Sequence, residues 1–252
     1  MHEDNVKRQF DMRASTFERS VNWITDPALM EAHLEAAGEP RGRGLEMCCG
    51  TGAVSRALKK NGWDMTGIDI SPGMVREAAK NIKAMQGNAA KTPFPDGSFG
   101  LVVLRQSYFL LSDGPAVLEE VKRVLVPGGR LVISLTVPFS DIDASWLQAV
   151  HKAKQAQMVK FLTAQSLEKE VCQNGFGTVY RQFVTVRESV SRWMRYAPEL
   201  ADETRDKVCE MVLNAPEEYR KLRNVKLVDG EIMEDWNWVV LGMKADGGGQ
   251  RG

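Results

Sequence analysis

Apolar and polar positions define two alternating kinds of segment over the first 137 residues. Short apolar runs typical of buried strands occur near residues 44–48, 64–68, 82–86, 100–105 and 130–137. Stretches with helical spacing of apolar residues lie between several of them, and the one over 113–125 stops before Pro127. Strands that alternate with helices predict an α/β protein with a doubly wound parallel sheet.

The pattern changes after residue 137. The remaining predicted elements are, in chain order, an amphipathic helix, a second helix that ends at a glycine, a strand, a charged helical insertion, a hairpin and a final strand: 143–160, 166–175, 178–186, 188–222, 225–233 and 236–243. Glycine is frequent after Lys244, which predicts a disordered tail.

A glycine turn follows the first predicted strand, where residues 45–52 read Leu-Glu-Met-Cys-Cys-Gly-Thr-Gly. Such a turn begins a helix with exposed N–H groups, which bind anions. Glu46 lies at the strand end, where its carboxylate could hold a cation while the N–H groups of Gly50 and Gly52 bind a carboxylate. A ligand with both an ammonium and a carboxylate is an amino acid moiety.

The second predicted strand ends at Asp69, 17 residues beyond Gly52, and Ser71-Pro72 then begins a helix. An acidic residue at this place in a βαβ unit accepts hydrogen bonds from ribose hydroxyls. An amino acid joined to a nucleoside describes S-adenosylmethionine.

Two further motifs follow at ordered spacing, Gly-Asn-Ala-Ala-Lys-Thr-Pro-Phe-Pro-Asp-Gly-Ser-Phe from residue 87 and Glu-Glu-Val-Lys-Arg-Val-Leu-Val-Pro-Gly-Gly-Arg-Leu from residue 119. With all four motifs, the chain resembles the class I S-adenosylmethionine-dependent methyltransferases of the type 11 group, which includes the ubiquinone and menaquinone C-methyltransferases. The resemblance covers roughly residues 10–137. It implies a Rossmann-like, seven-stranded sheet with an antiparallel last strand, a helical insertion over the acceptor, and S-adenosylmethionine as cofactor.

The resemblance also implies a set of cofactor-binding residues. Glu46 and the glycine backbone would hold the methionyl end, Asp69 the ribose, and Ile70 the adenine face. The full set is Glu46, Cys48, Gly50, Gly52, Asp69, Ile70, Met74, Asn88, Ala89, Arg105 and Gln106.

The chain departs from the family pattern at three positions. Cys48 replaces the first glycine of the loop, which predicts an ordinary negative φ there, because a Cβ is costly at positive φ. Phe17 stands where a tyrosine is common, so any hydrogen bond of that hydroxyl is lost. Gly100 replaces an aspartate before the fourth strand.

The expected organisation is an N-terminal helical lid, a cofactor-binding core, a helical acceptor cap, the last strand of the core and a disordered tail: 1–40, 41–186, 187–228, 229–244 and 245–252. We expect acceptor selectivity in the lid, the helix over 143–160 and the cap. Their aromatic residues suit a small, flat or lipophilic acceptor, such as a quinone-like or phenolic metabolite.

Methyl transfer needs an aligned acceptor rather than a covalent enzyme intermediate, so positioning supplies much of the rate. The transfer would go to oxygen or carbon. If the acceptor must lose a proton, the candidate bases are His151, Tyr108 and Arg105. His151 is expected to be an exposed helix residue.

Composition restricts the remaining classes. Lys and Arg number 33, as do Asp and Glu, so the chain has no bulk charge for nucleic acid. No apolar run of about 18 residues predicts a membrane span, and the N-terminus is unlike a signal peptide, so a cytoplasmic protein is expected. The scattered cysteines and histidines predict neither a disulfide framework nor a metal site. The sequence does not decide whether the protein forms a homodimer.

Two other functions compete with methyl transfer. A nicotinamide-dependent oxidoreductase also uses a glycine turn, but the fingerprint read from Gly50 needs glycine or alanine at Ser55. A non-catalytic protein could bind S-adenosylmethionine and methylate nothing. The sequence leaves the acceptor, the methylated atom and the pathway open.

Overall fold

The computed structural model describes residues 1–245, and a mixed sheet lies at its centre. The strands are β1 (Arg43–Met47), β2 (Asp64–Asp69), β3 (Lys83–Gln86), β4 (Phe99–Arg105), β5 (Leu125–Val137), β6 (Phe176–Ser189), β7 (Lys226–Val228) and β8 (Glu231–Ala245). Their spatial order is β3-β2-β1-β4-β5-β8-β6, with β7 paired to β8. β1 to β5 pair in parallel, whereas β8 is antiparallel to β5, β6 and β7.

Helices flank the sheet and cover one of its ends. They are α1 (His2–Arg13), α2 (Phe17–Ser20), α3 (Pro27–Ala37), α4 (Ala53–Lys60), α5 (Pro72–Ala78), α6 (Gly114–Val124), α7 (Asp141–Lys154), α8 (Ala164–Gln173), α9 (Val190–Arg195), α10 (Asp202–Leu213) and α11 (Glu217–Leu222). Tyr108–Leu110 forms a single 3-10 turn. The predicted α/β fold with an antiparallel last strand is thus confirmed, and the predicted hairpin supplies β7, so the sheet has eight strands rather than the expected seven.

Both faces of the parallel strands are buried, which is why these strands read as continuous apolar runs. In β4, Val102 and Leu104 point to one core, and Leu101 and Val103 point to the other, because side chains alternate along a strand. Apolar residues of α6 and α8 fill the first core, and those of α3 and α4 fill the second. The helices are therefore held on both faces of the sheet.

Local capping fixes the helix starts that the sequence predicted. The side chain of Asp113 accepts a hydrogen bond from the N–H of Ala116 at 3.0 Å at the start of α6. Ser71 does the same for the N–H of Met74 at 3.1 Å at the start of α5. Each cap satisfies an N–H group that has no partner within the first helical turn.

The predicted insertion contains α9, α10 and α11, which share a small core with α7 and the start of β8. The helix predicted over 143–160 ends earlier, at Lys154. β6 continues to Ser189, and β8 starts at Glu231 and runs to Ala245, so both strands are longer than predicted. The rest of the predicted disordered tail, 246–252, lies outside the described residues.

The order of strands reverses between β1 and β4. Helical connections from β1 and β4 leave in opposite directions at this point, so a crevice opens beyond the carboxyl ends of the two strands. The motif residues after β1, β2 and β4 meet at this edge of the sheet.

Candidate functional site

A cavity occupies this crevice and extends under α1, α7 and α9. Nine of the eleven predicted cofactor residues line it: Glu46, Cys48, Gly50, Asp69, Ile70, Asn88, Ala89, Arg105 and Gln106. The parallel strands end at one edge of the sheet, and each predicted residue lies at or after the end of a strand. This arrangement brings the residues together. Six aromatic side chains of Phe or Trp also line the cavity: Phe10, Phe17, Trp23, Phe109, Trp193 and Trp236.

Gly52 and Met74 do not line the cavity, which corrects their predicted role. Gly52 has φ 76°, and its N–H donates to the carbonyl of Cys49 at 2.8 Å. A Cβ at Gly52 would lie 2.9 Å from Cδ1 of Ile82. Met74 is fully buried. Gly52 therefore serves the turn that starts α4, and Met74 serves the core beneath α5.

Glu46 is buried at the end of β1, where it faces the first turn of α4. Its Oε2 accepts hydrogen bonds from the N–H and hydroxyl of Ser55, at 3.0 and 2.5 Å. Burial raises the pKa of Glu46 to about 7, although Ser55 and the Arg105 charge act in the other direction. Oε1 accepts no hydrogen bond from residues 1–245, and Glu46 lines the cavity, so this oxygen can receive a ligand ammonium.

The loop after β1 corrects the expected conformation of Cys48, whose φ is 54° rather than negative. The left-handed region costs a non-glycine residue of order 1–3 kcal/mol, and the surrounding structure must hold it there. The next residue supplies one such restraint, because the N–H of Cys49 donates to the carbonyl of Ile68 at 2.9 Å. Burial raises the pKa of the Cys48 thiol to about 12, so the thiol stays protonated.

The same loop also corrects the predicted anion site. The N–H of Gly50 donates to Oδ2 of Asp69 at 2.9 Å, and that of Gly52 is used within the turn. Neither N–H is therefore free to bind a carboxylate. The glycines instead allow the tight backbone path, with φ 53° at Gly50.

Asp69 joins the loops that follow β1 and β2. Besides Gly50, the N–H of Ser71 donates to it, at 2.9 Å to Oδ1. Burial raises its pKa to about 6, against the effect of these two N–H groups. Each carboxylate oxygen keeps a lone pair beyond these bonds, so Asp69 can still accept hydrogen bonds from a ribose diol.

Ile70, Asn88 and Ala89 form the adjoining part of the cavity. Oδ1 of Asn88 accepts from the N–H of Ala90 at 2.8 Å, and Nδ2 donates to both carboxylate oxygens of Glu3 on α1, at 3.2 and 3.3 Å. The Asn88 carbonyl keeps one lone pair for an adenine amino group. The bond to Glu3 also ties α1 to the rim of this part of the cavity.

One face of α1 forms a wall of the cavity. Glu3, Val6, Phe10 and Arg13 line it, at the three- and four-residue spacing that puts side chains on one helix face. On the other side of α1, Oδ1 of Asp11 accepts from the N–H of Gly73 at 2.7 Å at the start of α5. The predicted N-terminal lid is thus in contact with the cavity at one side and with the core at the other.

Arg105 and Gln106 end β4 at the cavity floor. The Arg105 guanidinium donates to the carbonyls of Trp23 and Ile24, and stacks 4.7 Å from the ring centre of Trp23. Burial lowers its pKa to about 10, so it stays a cation at neutral pH and cannot act as the predicted base. Gln106 has φ 50°; its Nε2 donates to the hydroxyl of Thr136 at 2.7 Å, and its Oε1 accepts from the backbone N–H of Thr136 at 2.8 Å.

The other two candidate bases differ in position. Tyr108 is fully buried outside the cavity lining, and its hydroxyl donates to Glu170 at 2.7 Å, which raises its pKa together with burial. His151 lines the cavity and is partly buried, which corrects the expectation of an exposed residue. Its ring centre lies 6.0 and 6.1 Å from those of Trp193 and Trp236.

Burial and the nearby Arg223 and Lys154 charges lower the pKa of His151 to about 3, so the imidazole is neutral at physiological pH. Neither ring nitrogen has a hydrogen-bond partner among residues 1–245. We call His151, Gln155, Trp193 and Trp236 the acceptor wall; all four line the cavity.

Sequence reasoning missed Arg13, Gln155, Trp236 and Ser55. Arg13 shares its helix face with Phe10, and this spacing could have indicated it. Ser55 follows Glu46 by nine residues, and its hydroxyl could have been read as a partner for that carboxylate. Nothing local indicates Gln155 or Trp236, because only the packing of the end of α7 and of β8 brings them to the cavity.

The described residues offer no group of three or more His, Cys, Asp or Glu side chains that could hold a metal ion. Within the same residues, no helix combines the length and apolar character needed to cross a bilayer.

Comparison with known proteins agrees with this architecture. The profile of the methyltransferase domain family matches residues 45–133. A solved Bacillus halodurans protein, titled as a candidate methyltransferase, superposes with a TM-score of 0.76 over 87% of this chain and 99% of its own, at 17% identity. YcgJ from Bacillus subtilis gives 0.73, over 87% and 98%, at 18%. Residues 45–133 therefore resemble methyltransferase domains, and the chain shares the fold of these two solved proteins.

Among curated proteins, the chain resembles demethylmenaquinone methyltransferases. It is 35% identical over 148 residues to the one from Beutenbergia cavernae, which covers 56% of this chain and 60% of the relative. It is 39% identical over 100 residues to the one from Lactococcus lactis, covering 35% and 39%. The similarity thus spans less than two thirds of these relatives.

Proposed function

We propose that the protein binds S-adenosylmethionine and transfers its methyl group to oxygen or carbon of a small aromatic acceptor. One observation carries this proposal. Two buried carboxylates, Glu46 and Asp69, end neighbouring strands in one cavity that several aromatic side chains also line. The first carboxylate suits an ammonium and the second a ribose, and the aromatic side chains suit a flat acceptor.

The residues present fit the cofactor. Glu46 offers Oε1 to the amino group, Asp69 offers lone pairs to the ribose, and Ile70 offers an apolar surface to adenine. When bound, the cofactor supplies an electrophilic methyl carbon on a positively charged sulfur. The protein contributes orientation and the exclusion of water, which can account for much of the barrier reduction.

The transfer is a single displacement. An electron pair of the acceptor oxygen or carbon would form the new bond to the methyl carbon, and the electrons of the broken S–C bond would stay on sulfur, which would give S-adenosylhomocysteine. The acceptor's proton would pass to solvent. His151 faces the cavity as a neutral imidazole, so it can accept a hydrogen bond from the acceptor's hydroxyl and orient it.

The acceptor class rests on the cavity and on the relatives. Phe10, Phe17, Trp23, Trp193 and Trp236 contribute rings to the lining, which favours a flat ring system. Proteins named demethylmenaquinone methyltransferases match this chain. Both support a quinone-like or phenolic acceptor.

Two observations bear on the rival functions. Ser55 occupies the place where a dinucleotide fingerprint needs glycine or alanine, and its hydroxyl donates to Glu46, which argues against a nicotinamide site. The fold alone does not fix methyl transfer, since a structure titled as a [4+2]-cyclase superposes with a TM-score of 0.61 at 21% identity. Activity must therefore be measured.

Calorimetric titration with S-adenosylhomocysteine is the first test, with the reduced nicotinamide dinucleotide as a control ligand. We expect micromolar binding that Asp69→Ala weakens by about 1–3 kcal/mol, the range for lost ribose contacts. Binding of the dinucleotide alone would contradict the proposal. Methyl-labelled S-adenosylmethionine with a panel of phenols, quinols and aromatic acids then tests transfer, and binding without any transfer would favour a non-catalytic protein.

A further inference from the structure

A buried cluster of charged side chains lies behind the acceptor wall. Oε1 of Glu199 accepts hydrogen bonds from Nε of Arg13 at 2.9 Å and from Nζ of Lys154 at 3.3 Å. Oε1 of Gln155 accepts from both terminal nitrogens of Arg13, each at 3.4 Å. Gln9 and Gln155 exchange hydrogen bonds at 3.1 and 2.8 Å, so the polar groups around Arg13 form one network. We call Arg13, Lys154 and Glu199 the charge cluster.

The charge cluster contains one carboxylate and two basic side chains, and it carries an excess positive charge whenever Lys154 is protonated. The Lys154 side chain is 1% exposed, that of Arg13 8% and that of Glu199 11%, so water screens them little. The other groups that face Lys154 are neutral, with the Trp193 ring centre 5.4 Å from Nζ and the uncharged His151 one turn earlier on α7. A buried charge without a partner is unfavourable, so the cluster favours a second anion.

Only one member of the charge cluster reaches the cavity. Arg13 lines it together with Gln155, whereas Lys154 and Glu199 lie behind them. A guanidinium has five N–H groups, and one on Nη1 has no partner among residues 1–245. Arg13 is held by α7 and by the segment after α9, not by the strand ends that carry Glu46 and Asp69. This places the unmatched charge on the acceptor side.

We propose that the acceptor carries an anionic oxygen on its ring system, a carboxylate or an ionised phenol, which binds the Arg13 guanidinium and balances the charge cluster. This inference rests on the proposed function, because it concerns the acceptor half of the same cavity. A guanidinium recognises either oxygen anion by charge-assisted hydrogen bonds. The sulfonium of the cofactor adds a second attraction for an anion.

Anion binding should be coupled to a proton. Burial, and next the Arg13 charge, lower the pKa of Lys154 to about 7, while Glu199 opposes this shift. Near pH 7 the amine is therefore partly neutral, and a bound anion favours its protonated form. Binding should take up protons, and the affinity for an anion should fall as the pH rises from 7 to 9.

Calorimetry on the full chain saturated with S-adenosylhomocysteine tests the proposal with matched probes. The carboxylate arm compares 2-naphthoate with 2-naphthamide, and the phenolate arm compares 4-nitrophenol with 4-nitroanisole. We expect at least one anionic probe to bind about ten-fold more tightly than its neutral partner, and the arm that shows this identifies the kind of oxygen. Titration in two buffers of different ionisation enthalpy measures proton uptake.

Two variants change the cluster charge in opposite directions and leave Arg13 in place. Lys154→Met removes one cation and should abolish the preference for the anionic probe, together with the proton uptake. Glu199→Gln removes the carboxylate and should increase the preference. Thermal unfolding and the affinity for S-adenosylhomocysteine report whether each variant is folded.

Equal binding of the anionic and neutral probes, or no binding of any anionic probe, would overturn the proposal. If Lys154→Met weakens S-adenosylhomocysteine and leaves probe discrimination unchanged, the charge cluster serves the cofactor's carboxylate, and the inference is wrong. Failure of the wild type to bind S-adenosylhomocysteine at all would instead reject the proposed function, so the two failures are distinct.

Discussion

Ser55 donates both its backbone N–H and its hydroxyl to one oxygen of Glu46, Oε2, at 3.0 and 2.5 Å. Two bonds to the same oxygen fix the carboxylate at the start of α4 and turn its other oxygen to the cavity. Ser55 does not line the cavity, but it can therefore control how Glu46 presents its free oxygen to a ligand.

We expect Ser55→Ala to weaken S-adenosylhomocysteine about ten-fold or more, because a hydrogen bond to a charged group is worth about 1.5–3 kcal/mol. The backbone N–H of residue 55 remains, so the protein should still fold. Glu46→Gln is the matched variant and should lose at least as much affinity. Isothermal titration calorimetry measures both, and an unchanged affinity in Ser55→Ala would show that Glu46 is held by other contacts.

The pH dependence of cofactor binding should report Glu46. Its pKa is raised to about 7, so a growing fraction becomes ionised between pH 6 and 8 and can pair with an ammonium. Affinity for S-adenosylhomocysteine should therefore rise over this interval, and Glu46→Gln should remove most of that rise. An equally steep pH profile in the variant would assign the titration to another group.

The stability effect of Glu46 has the opposite sign. An acid with a pKa raised on folding binds its proton more tightly in the native state, so its contribution to stability is largest at low pH. That contribution is lost as the pH rises from about 4.5 to 7. Urea titrations of the ligand-free protein measure this effect. The free energy of unfolding of the wild type, relative to that of Glu46→Gln, should decrease as the pH rises from about 4.5 to 7.

Cys48 has φ 54° in the loop beneath the cofactor half of the cavity. Cys48→Gly should leave stability unchanged or raise it by up to about 1 kcal/mol, because glycine adopts this region without a Cβ clash. Cys48→Val should lose about 1–2 kcal/mol, since a β-branched residue is strained there. Cys209→Val, on the helical backbone of α10, is the control for the change of side chain. Urea unfolding measures the stability of each variant. Equal losses of unfolding free energy in Cys48→Val and Cys209→Val would exclude a backbone effect at Cys48.

The sheet and the meeting of Glu46 and Asp69 at one of its edges could be predicted from sequence for a physical reason. Buried parallel strands are short apolar runs, and their carboxyl ends share one edge, so Glu46 and Asp69 had to be neighbours. Asp113 and Ser71 are capping residues whose preference is local. These features depend only on residues close together in the chain.

The rest depends on contacts between distant segments. Arg13 and Glu199 form their ion pair across 186 positions, and no periodicity encodes such a distance. His151 belongs to an amphipathic helix, and only the packing of Trp193 and Trp236 against it turns an expected exposed residue into part of the cavity. The glycine N–H groups were expected to be free, but Asp69 occupies that of Gly50.

His151 should affect turnover more than cofactor binding. We expect His151→Phe to lower kcat about ten-fold, the value of one lost hydrogen bond to the acceptor. His151→Gln keeps a hydrogen-bond acceptor and should recover most of the rate, whereas a required proton transfer to the imidazole would leave both variants equally slow. S-Adenosylhomocysteine affinity should be unchanged in both, measured by calorimetry, once an acceptor has been found.

Arg223 links the helical insertion to α7 and β8. Its Nη1 donates to Asp143 at 2.9 Å and its Nε to Glu234 at 3.2 Å, and all three side chains are at most 1% exposed. The two carboxylates come from α7 and β8, and Glu234 also accepts from the indole N–H of Trp236 at 2.7 Å. Removing the single cation would leave two buried carboxylates without their partner, so the whole cap depends on it.

We therefore expect Arg223→Met to lower the free energy of unfolding by about 3–5 kcal/mol, the cost of breaking a buried ion pair from one side. Lys221→Met is the matched control, because its ion pair with Glu217 is exposed and should contribute less than about 1 kcal/mol. Urea denaturation followed by tryptophan fluorescence measures both. Similar losses in the two variants would mean that water reaches the Arg223 network and that the acceptor wall is not held by it.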